Sequence, residues 1–172
     1  HVDHAKINRW VMKYRSLLEV NLRKRKRSVV KSWRMDETYI KIKGKWFYYY
    51  RAVDKFGDVI DFYLSPTRNE NAATTFLNKA ITQHGLPEKV TLDGSHSNHL
   101  AVSSMNMKLW LSELLTLFFI TIYKSIYLNN MVEQSHRWVK QKTTQALGWK
   151  SIEGAMASLQ GKEIWTMIKR GQ

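Results

Sequence analysis

Residues 32–44 read SWRMDETYIKIKG, and their two-residue alternation decides the fold. Met35, Glu37, Tyr39 and Lys41 fall on one face of an extended chain, and Asp36, Thr38, Ile40 and Ile42 on the other. The enrichment in Thr, Tyr and Ile favours a strand. Gly44-Lys45 supplies a tight turn, and WFYYYRAVD (46–54) reads as a second, aromatic-rich strand. KFGD (55–58) is another turn and VIDFYLS (59–65) a third strand. Three strands on short turns make an antiparallel meander.

Downstream the pattern changes. Pro66 ends the sheet segment, and Asn69 or Asn71 can cap a helix through about Gln83, with Ala72, Phe76, Leu77, Ala80 and Ile81 on its apolar side. HGLP (84–87) stops that helix, and EKVTLD (88–93) is a short strand ending at Asp93. A helical pattern resumes between about Asn98 and Leu115, and LFFITIY (117–123) reads as a fifth strand. Asn129 or Asn130 opens a long helix through about Ala146. A last helix, Ser151 to Lys169, carries Ile152, Ala155, Met156, Leu159, Ile164, Trp165 and Ile168. The expected class is α/β, a mixed five-stranded sheet flanked by helices, with ligands at the carboxyl ends of its parallel strands. Upstream, VDHAKINRWVMKY (2–14) has Ile7, Trp10, Val11 and Tyr14 at helical spacing and Asp3 as an N-cap. It predicts a short basic amphipathic helix, followed by the run Arg23-Lys24-Arg25-Lys26-Arg27, a linker or DNA-tracking arm.

The charge is uneven. Of the net +14, residues 1–35 carry +9, residues 36–100 carry 0 and residues 101–172 carry +5. A neutral, acid-bearing centre between basic flanks suits an enzyme acting on nucleic acid, with cations on phosphates and carboxylates on metal. A basic membrane-surface protein is the competing class. The absence of cysteine excludes a disulfide scaffold and thiolate metal sites. The most apolar stretch, Leu109 to Ile122, is 14 residues long and contains Glu113, too short to span a bilayer. No apolar signal segment opens the chain. A cytoplasmic location without a membrane partner is expected.

Three carboxylates stand out by position. Asp36 lies within the first strand, Asp93 at the carboxyl end of the fourth, and Glu133 in the first turn of the long helix. With the first and fourth strands adjacent and the helix crossing behind, the three can converge. Two divalent cations about 3.5–4 Å apart need such a set of hard oxygen ligands. Each residue has a plainer explanation: a wet strand face for Asp36, an Asp-Gly turn at 93, a capping box from Asn130 to Glu133. His136, Arg137 and Lys140 follow Glu133 at i+3, i+4 and i+7, where they can hold a phosphate or pair along a solvated face. The pair His96 and His99 lacks a third patterned ligand for zinc. Tyr48, Tyr49 and Tyr50 fit sheet packing better than base stacking.

The block from Trp33 to Ala73 resembles the first part of the catalytic core of bacterial DDE transposases, most closely insertion-sequence family six. YLNNMVEQSHRWVKQKT (127–143) resembles the segment with that family's catalytic Glu, and residues 148–172 resemble its C-terminal helix. Residues 2–14 resemble the last helix of its helix-turn-helix region. The resemblance implies a ribonuclease-H-like integrase core over 32–172, behind a helical remnant and basic linker over 1–31. It implies a catalytic, metal-binding triad of Asp36, Asp93 and Glu133, with two Mg²⁺ ions, Mn²⁺ substituting. It implies hydrolysis at a transposon end, then attack of the freed 3′-OH on target DNA. The implied partners are double-stranded terminal inverted repeats and target DNA, contacted by Lys6, Arg9, Arg23, Lys24, Arg25, Lys26, Arg27, His136, Arg137 and Lys140. At least a dimer is expected on DNA, in the bacterial cytoplasm at the nucleoid. Because the resemblance begins at the last helix of the helix-turn-helix, end recognition by this chain alone is not expected. The chain departs from the family at Ser135, usually Asp, and lacks an Arg-Gln pair near Tyr123 and Lys124. Its Asp93–Glu133 spacing of 40 positions is a few longer than usual. The alternatives are an inactive copy that only binds DNA, and a nuclease of the same fold.

Overall fold

A computed structural model describes residues 26–93, 95–111, 119–125, 136, 137, 139–141 and 148–172, together with residues 3, 6, 9, 10, 13, 14, 17, 18, 20 and 21. The elements run β1 (Ser32–Ile42), β2 (Lys45–Asp54), β3 (Val59–Ser65), α1 (Glu70–His84), β4 (Lys89–Leu92), α2 (His96–Leu111), β5 (Thr121–Lys124) and α3 (Ile152–Arg170). The sheet order is β3-β2-β1-β4-β5. β1–β2 and β2–β3 are antiparallel, and β4 is parallel to both β1 and β5. The mixed sheet, with its first and fourth strands adjacent, is therefore as the sequence implies.

The first hairpin turns on Lys43 and Gly44, at φ 49° and 78°, one residue earlier than the sequence suggests. Positive φ at both loop residues matches the twist of the paired strands, and glycine takes the second at no steric cost. Between β2 and β3, Asp54 organises the turn: Oδ1 accepts from the Phe56 and Asp58 amides and Oδ2 from Val30. On β3 the register slips by one, Ala52 facing Asp61 and Val53 facing Val59. The bulge lets Ile60 and Phe62 enter cores on opposite faces of the sheet.

One face carries Trp33, Met35, Tyr50 and Ala52 against Phe76 and Leu77 of α1 and Val102 of α2. The other carries Ile40, Ile42, Tyr49 and Phe62 against Val139 and against Ala155 and Leu159 of α3. Asn69, not Asn71, caps α1 by accepting from Ala72 N at 3.0 Å, and Gly85 closes it at φ 78°. Ser151 caps α3.

Several expectations change. β5 starts at Thr121 rather than Leu117, and Phe119 and Ile120 lie outside it. The Asn106 side chain takes both backbone groups of Ile120, donating to its oxygen and accepting from its nitrogen at 2.9 Å each, so those groups have no strand partner to seek. On α3, Ile152, Trp165 and Ile168 are exposed, whereas Glu163 is buried. Residues 6, 9, 10, 13, 14, 17, 18, 20 and 21 are helical, and Trp10 and Tyr14 face solvent. Tyr49 and Tyr50 are fully buried, as sheet packing predicts. The expected start and end of the long helix, including Glu133, lie outside the described residues, while 136, 137 and 139–141 are helical.

Candidate active site

β4 pairs with only the first part of β1, in the register Ser32–Lys89, Trp33–Val90 and Arg34–Thr91. Carried two residues on, that register sets Asp36 level with Asp93, on strands about 4.8 Å apart. Further along the same edge of β1, Trp149 N donates to Lys41 O and Trp149 O accepts from Lys43 N, both at 2.8 Å. Gly148, at φ 93°, makes that approach possible: a Cβ there would stand 2.6 Å from Lys41 O. Asp36 and Glu37 lie between the two attachments, at the carboxyl end of β4, where parallel strands place ligands.

Asp36, Glu37 and Asp93 each present a carboxylate oxygen within 4.8 Å of the others. The set is all hard oxygen, which suits a small divalent cation. Burial pushes the Asp36 carboxyl up, but the hydrogen bond and electrostatic attraction of His136, helped by a bond from Asp93, bring it below the ordinary value. Asp93 moves the other way: burial raises it, and the Asp36 and Glu37 charges add to the rise against a lowering bond from Ser95 N. Carboxylates set this close repel one another, and a cation between them would relieve that repulsion. The residues present therefore fit a divalent metal.

His136 Nδ1 lies 3.2 Å from Asp36 Oδ2, and its ring meets Tyr49 edge-on at 5.9 Å. The histidine is 1% exposed, so it braces Asp36 from within the core instead of standing on a DNA-facing surface. Arg137 and Lys140 are exposed. Lys26 Nζ donates to Ile60 O at 2.8 Å and lies 3.5 Å from His84 Nε2, which folds this member of the basic run back onto β3 and α1. Arg27, Lys6 and Arg9 are exposed, and Arg23, Lys24 and Arg25 lie outside the described residues, as does Glu133. The structure thus brings together Asp36, Asp93 and His136. It adds three residues that the sequence did not single out: Glu37, Arg68, whose Nε donates to Glu37 Oε1 at 2.8 Å, and Asn98, whose amide donates to Glu37 Oε2. Their signals in sequence were weak: an acid next to Asp36, an Arg before a helix cap, an Asn in a first helical turn.

Comparison with known proteins bears on the family and the fold. A family model described as a DDE domain, of IS240-type transposases, matches residues 30–172. The transposase of the insertion sequence-like element IS431mec from Staphylococcus aureus is 35% identical over 181 residues, covering 100% of this chain and 73% of its own length. The transposase of IS257 in transposon Tn4003, also from Staphylococcus aureus, matches equally. Among solved structures, the HTLV-2 integrase catalytic core domain in complex with magnesium overlays with a TM-score of 0.53 at 16% identity, over 81% of this chain and 86% of that one. The Mos1 transposase catalytic domain, solved with Raltegravir and Mn, gives 0.50 at 16% identity over 95% and 87%. These overlays show the ribonuclease-H-like fold. Among the described residues no helix is long and apolar enough to cross a membrane. With a family model over most of its length and 35% identical relatives that match it across its whole span, the chain belongs to the DDE transposases of insertion-sequence family six, polynucleotidyl transferases of DNA transposition.

Proposed function

We propose that Asp36, Asp93 and Glu133 form the catalytic carboxylate set, that it works with two Mg²⁺ ions, replaceable by Mn²⁺, and that it performs two phosphoryl transfers in succession. The first hydrolyses the phosphodiester at a transposon end and frees a 3′-OH. In the second, that hydroxyl attacks a target phosphodiester and a new phosphodiester forms as the old one breaks. The observation that carries this reading is the levelling of Asp36 with Asp93 by the β1–β4 register, with opposite shifts in their proton affinities. When bound, the cations supply Lewis-acid stabilisation of the charge that builds on the phosphoryl oxygens. His136 fixes the Asp36 carboxylate from behind, and Ser95 N donates to Asp93 Oδ1 at 3.0 Å, so both acids are oriented before substrate arrives.

Arg137, Lys140, Lys6, Arg9, Arg23, Lys24, Arg25 and Arg27 are proposed to hold double-stranded DNA, the terminal inverted repeats and the target, through its phosphates. The proposed division is a DNA-binding helix and linker over 1–31 and a catalytic core over 32–172. Cleavage of paired ends calls for at least a dimer on DNA, in the bacterial cytoplasm at the nucleoid. The test is cleavage and strand transfer by Asp36→Asn, Asp93→Asn and Glu133→Gln. Each is expected to abolish both steps while sparing DNA binding, and full activity in any one of them removes that residue from the set.

A further inference from the structure

Glu37 is held differently from the two aspartates beside it. Its side chain is 3% exposed, and both oxygens are occupied. Oε1 accepts from Arg68 Nε at 2.8 Å and Nη2 at 2.5 Å, and Oε2 accepts from the Asn98 amide. Asn98 is fully buried in the first turn of α2, and Arg68 stands in the β3–α1 connection immediately before the Asn69 cap. Three elements therefore converge on this one carboxylate.

The Arg68 side chain, by contrast, is 51% exposed. A simple surface ion pair leaves both partners wet and contributes little. Here the anion is desolvated and the cation is not, so the arrangement uses burial to orient a guanidinium that still faces water. The bonds to Glu37 use two of the five N–H donors of the fork and leave Nη1 for another acceptor. Glu37 presents a carboxylate oxygen within 4.8 Å of those of Asp36 and Asp93, so Arg68, bonded to it, borders the acidic cluster. A fixed planar cation next to paired carboxylates is suited to the non-bridging oxygens of a phosphodiester.

We propose that Arg68 binds the phosphate undergoing transfer, and that Glu37 is its positioning residue and not a third metal ligand. The inference rests on Asp36 and Asp93 being the metal-binding acids. Arg68 transfers no proton; it offsets the charge that builds on the phosphoryl oxygens.

Two readouts on the full chain separate the roles: Mn²⁺ affinity, from the electron paramagnetic resonance signal of free Mn²⁺, and Mn²⁺-dependent nicking of a supercoiled plasmid. Arg68→Ala is expected to slow nicking about 10²-fold, the scale of losing one charge-stabilising donor. Arg68→Lys, which lacks the fork, restores only part of that loss. Mn²⁺ affinity stays near the native value in both variants and in Glu37→Gln. Adding Glu37→Gln to Arg68→Ala costs nothing further, because residues acting through one another are non-additive. Asp36→Asn, run alongside, weakens Mn²⁺ binding by about tenfold or more. Glu37→Gln losing Mn²⁺ as Asp36→Asn does would make Glu37 a ligand and overturn the proposal, as would native nicking by Arg68→Ala. Native Mn²⁺ binding by Asp36→Asn would instead remove the acidic site beneath it.

Discussion

Glu163→Ala tests how the C-terminal helix is fastened to the sheet. Glu163 is 3% exposed on α3 and accepts three bonds from β2: Tyr49 Oη to Oε1 at 2.7 Å, Arg51 Nε to Oε1 at 2.9 Å and Arg51 Nη2 to Oε2 at 3.0 Å. Arg51 is itself 2% exposed. Removing the carboxylate leaves a buried guanidinium without its counter-charge, which costs about 3–5 kcal/mol. For a domain of this size that lowers Tm by roughly 6–20 °C, a large part of a typical stability of about 5–15 kcal/mol. Replacing both charges, as Arg51→Met with Glu163→Leu, removes the orphaned cation and is expected to recover most of the loss. Urea unfolding followed by circular dichroism gives the free energies for the single and double variants. A Glu163→Ala protein within about 0.5 kcal/mol of native, or a double variant no more stable than the single, contradicts the ion-pair account.

Other consequences follow from the same architecture. Burial first, then the Glu37 charge, push the Tyr50 hydroxyl up to about 12, and burial also pushes Tyr49 well above its ordinary value. Because the folded value lies above the unfolded one of about 10, the stability from Tyr50 is complete below about pH 10 and is lost as pH rises from about 10 to 12. Spectrophotometric titration at the phenolate band should show Tyr50 ionising in that window, and its ionisation near 10 in the folded protein would refute this. Gly148→Ala sets a Cβ against Lys41 O at positive φ and is expected to cost about 1–3 kcal/mol, read as a lower urea midpoint with faster exchange of the Trp149 amide. Asn106→Leu removes both partners of the Ile120 backbone and should cost about 1–3 kcal/mol, with loss of hydrogen-exchange protection at Ile120. Neutralising Arg23, Lys24 and Arg25 is expected to flatten the salt dependence of DNA affinity, the log–log slope falling by about 0.9 for each phosphate that is no longer neutralised; an unchanged slope makes that run a plain linker.

The strands of the meander were legible because alternation and turn residues are local properties. β1, β2 and β3 begin and end close to where the pattern does. β5 was less legible, since an apolar β-branched run looks alike whether its backbone pairs with a strand or with the Asn106 side chain. Asp36 and Asp93 stood out in the sequence, as a carboxylate inside a strand and another at a strand end, and the structure sets the two side by side. Glu37 was not, because alternation alone sends it to the opposite face from Asp36, and nothing local reports that Arg68 and Asn98 meet there. His136 reads as surface from its i+3 spacing to Glu133, yet Asp36 and the Tyr49 ring bury it. Glu163 sits in an amphipathic helix where a carboxylate is ordinary, and its partner Arg51 is a strand residue far away in sequence.

Asp36 and Asp93 are proposed to hold a divalent cation, with Glu133 completing the set. Anomalous diffraction from Mn²⁺-soaked crystals, native beside Asp36→Asn, tests this proposal most directly. The account predicts a Mn²⁺ peak bridging Asp36 and Asp93, with Glu133 within coordinating distance, and its loss in the variant. A peak that persists in Asp36→Asn, or carboxylates that stay apart with no peak in the native protein, would contradict it.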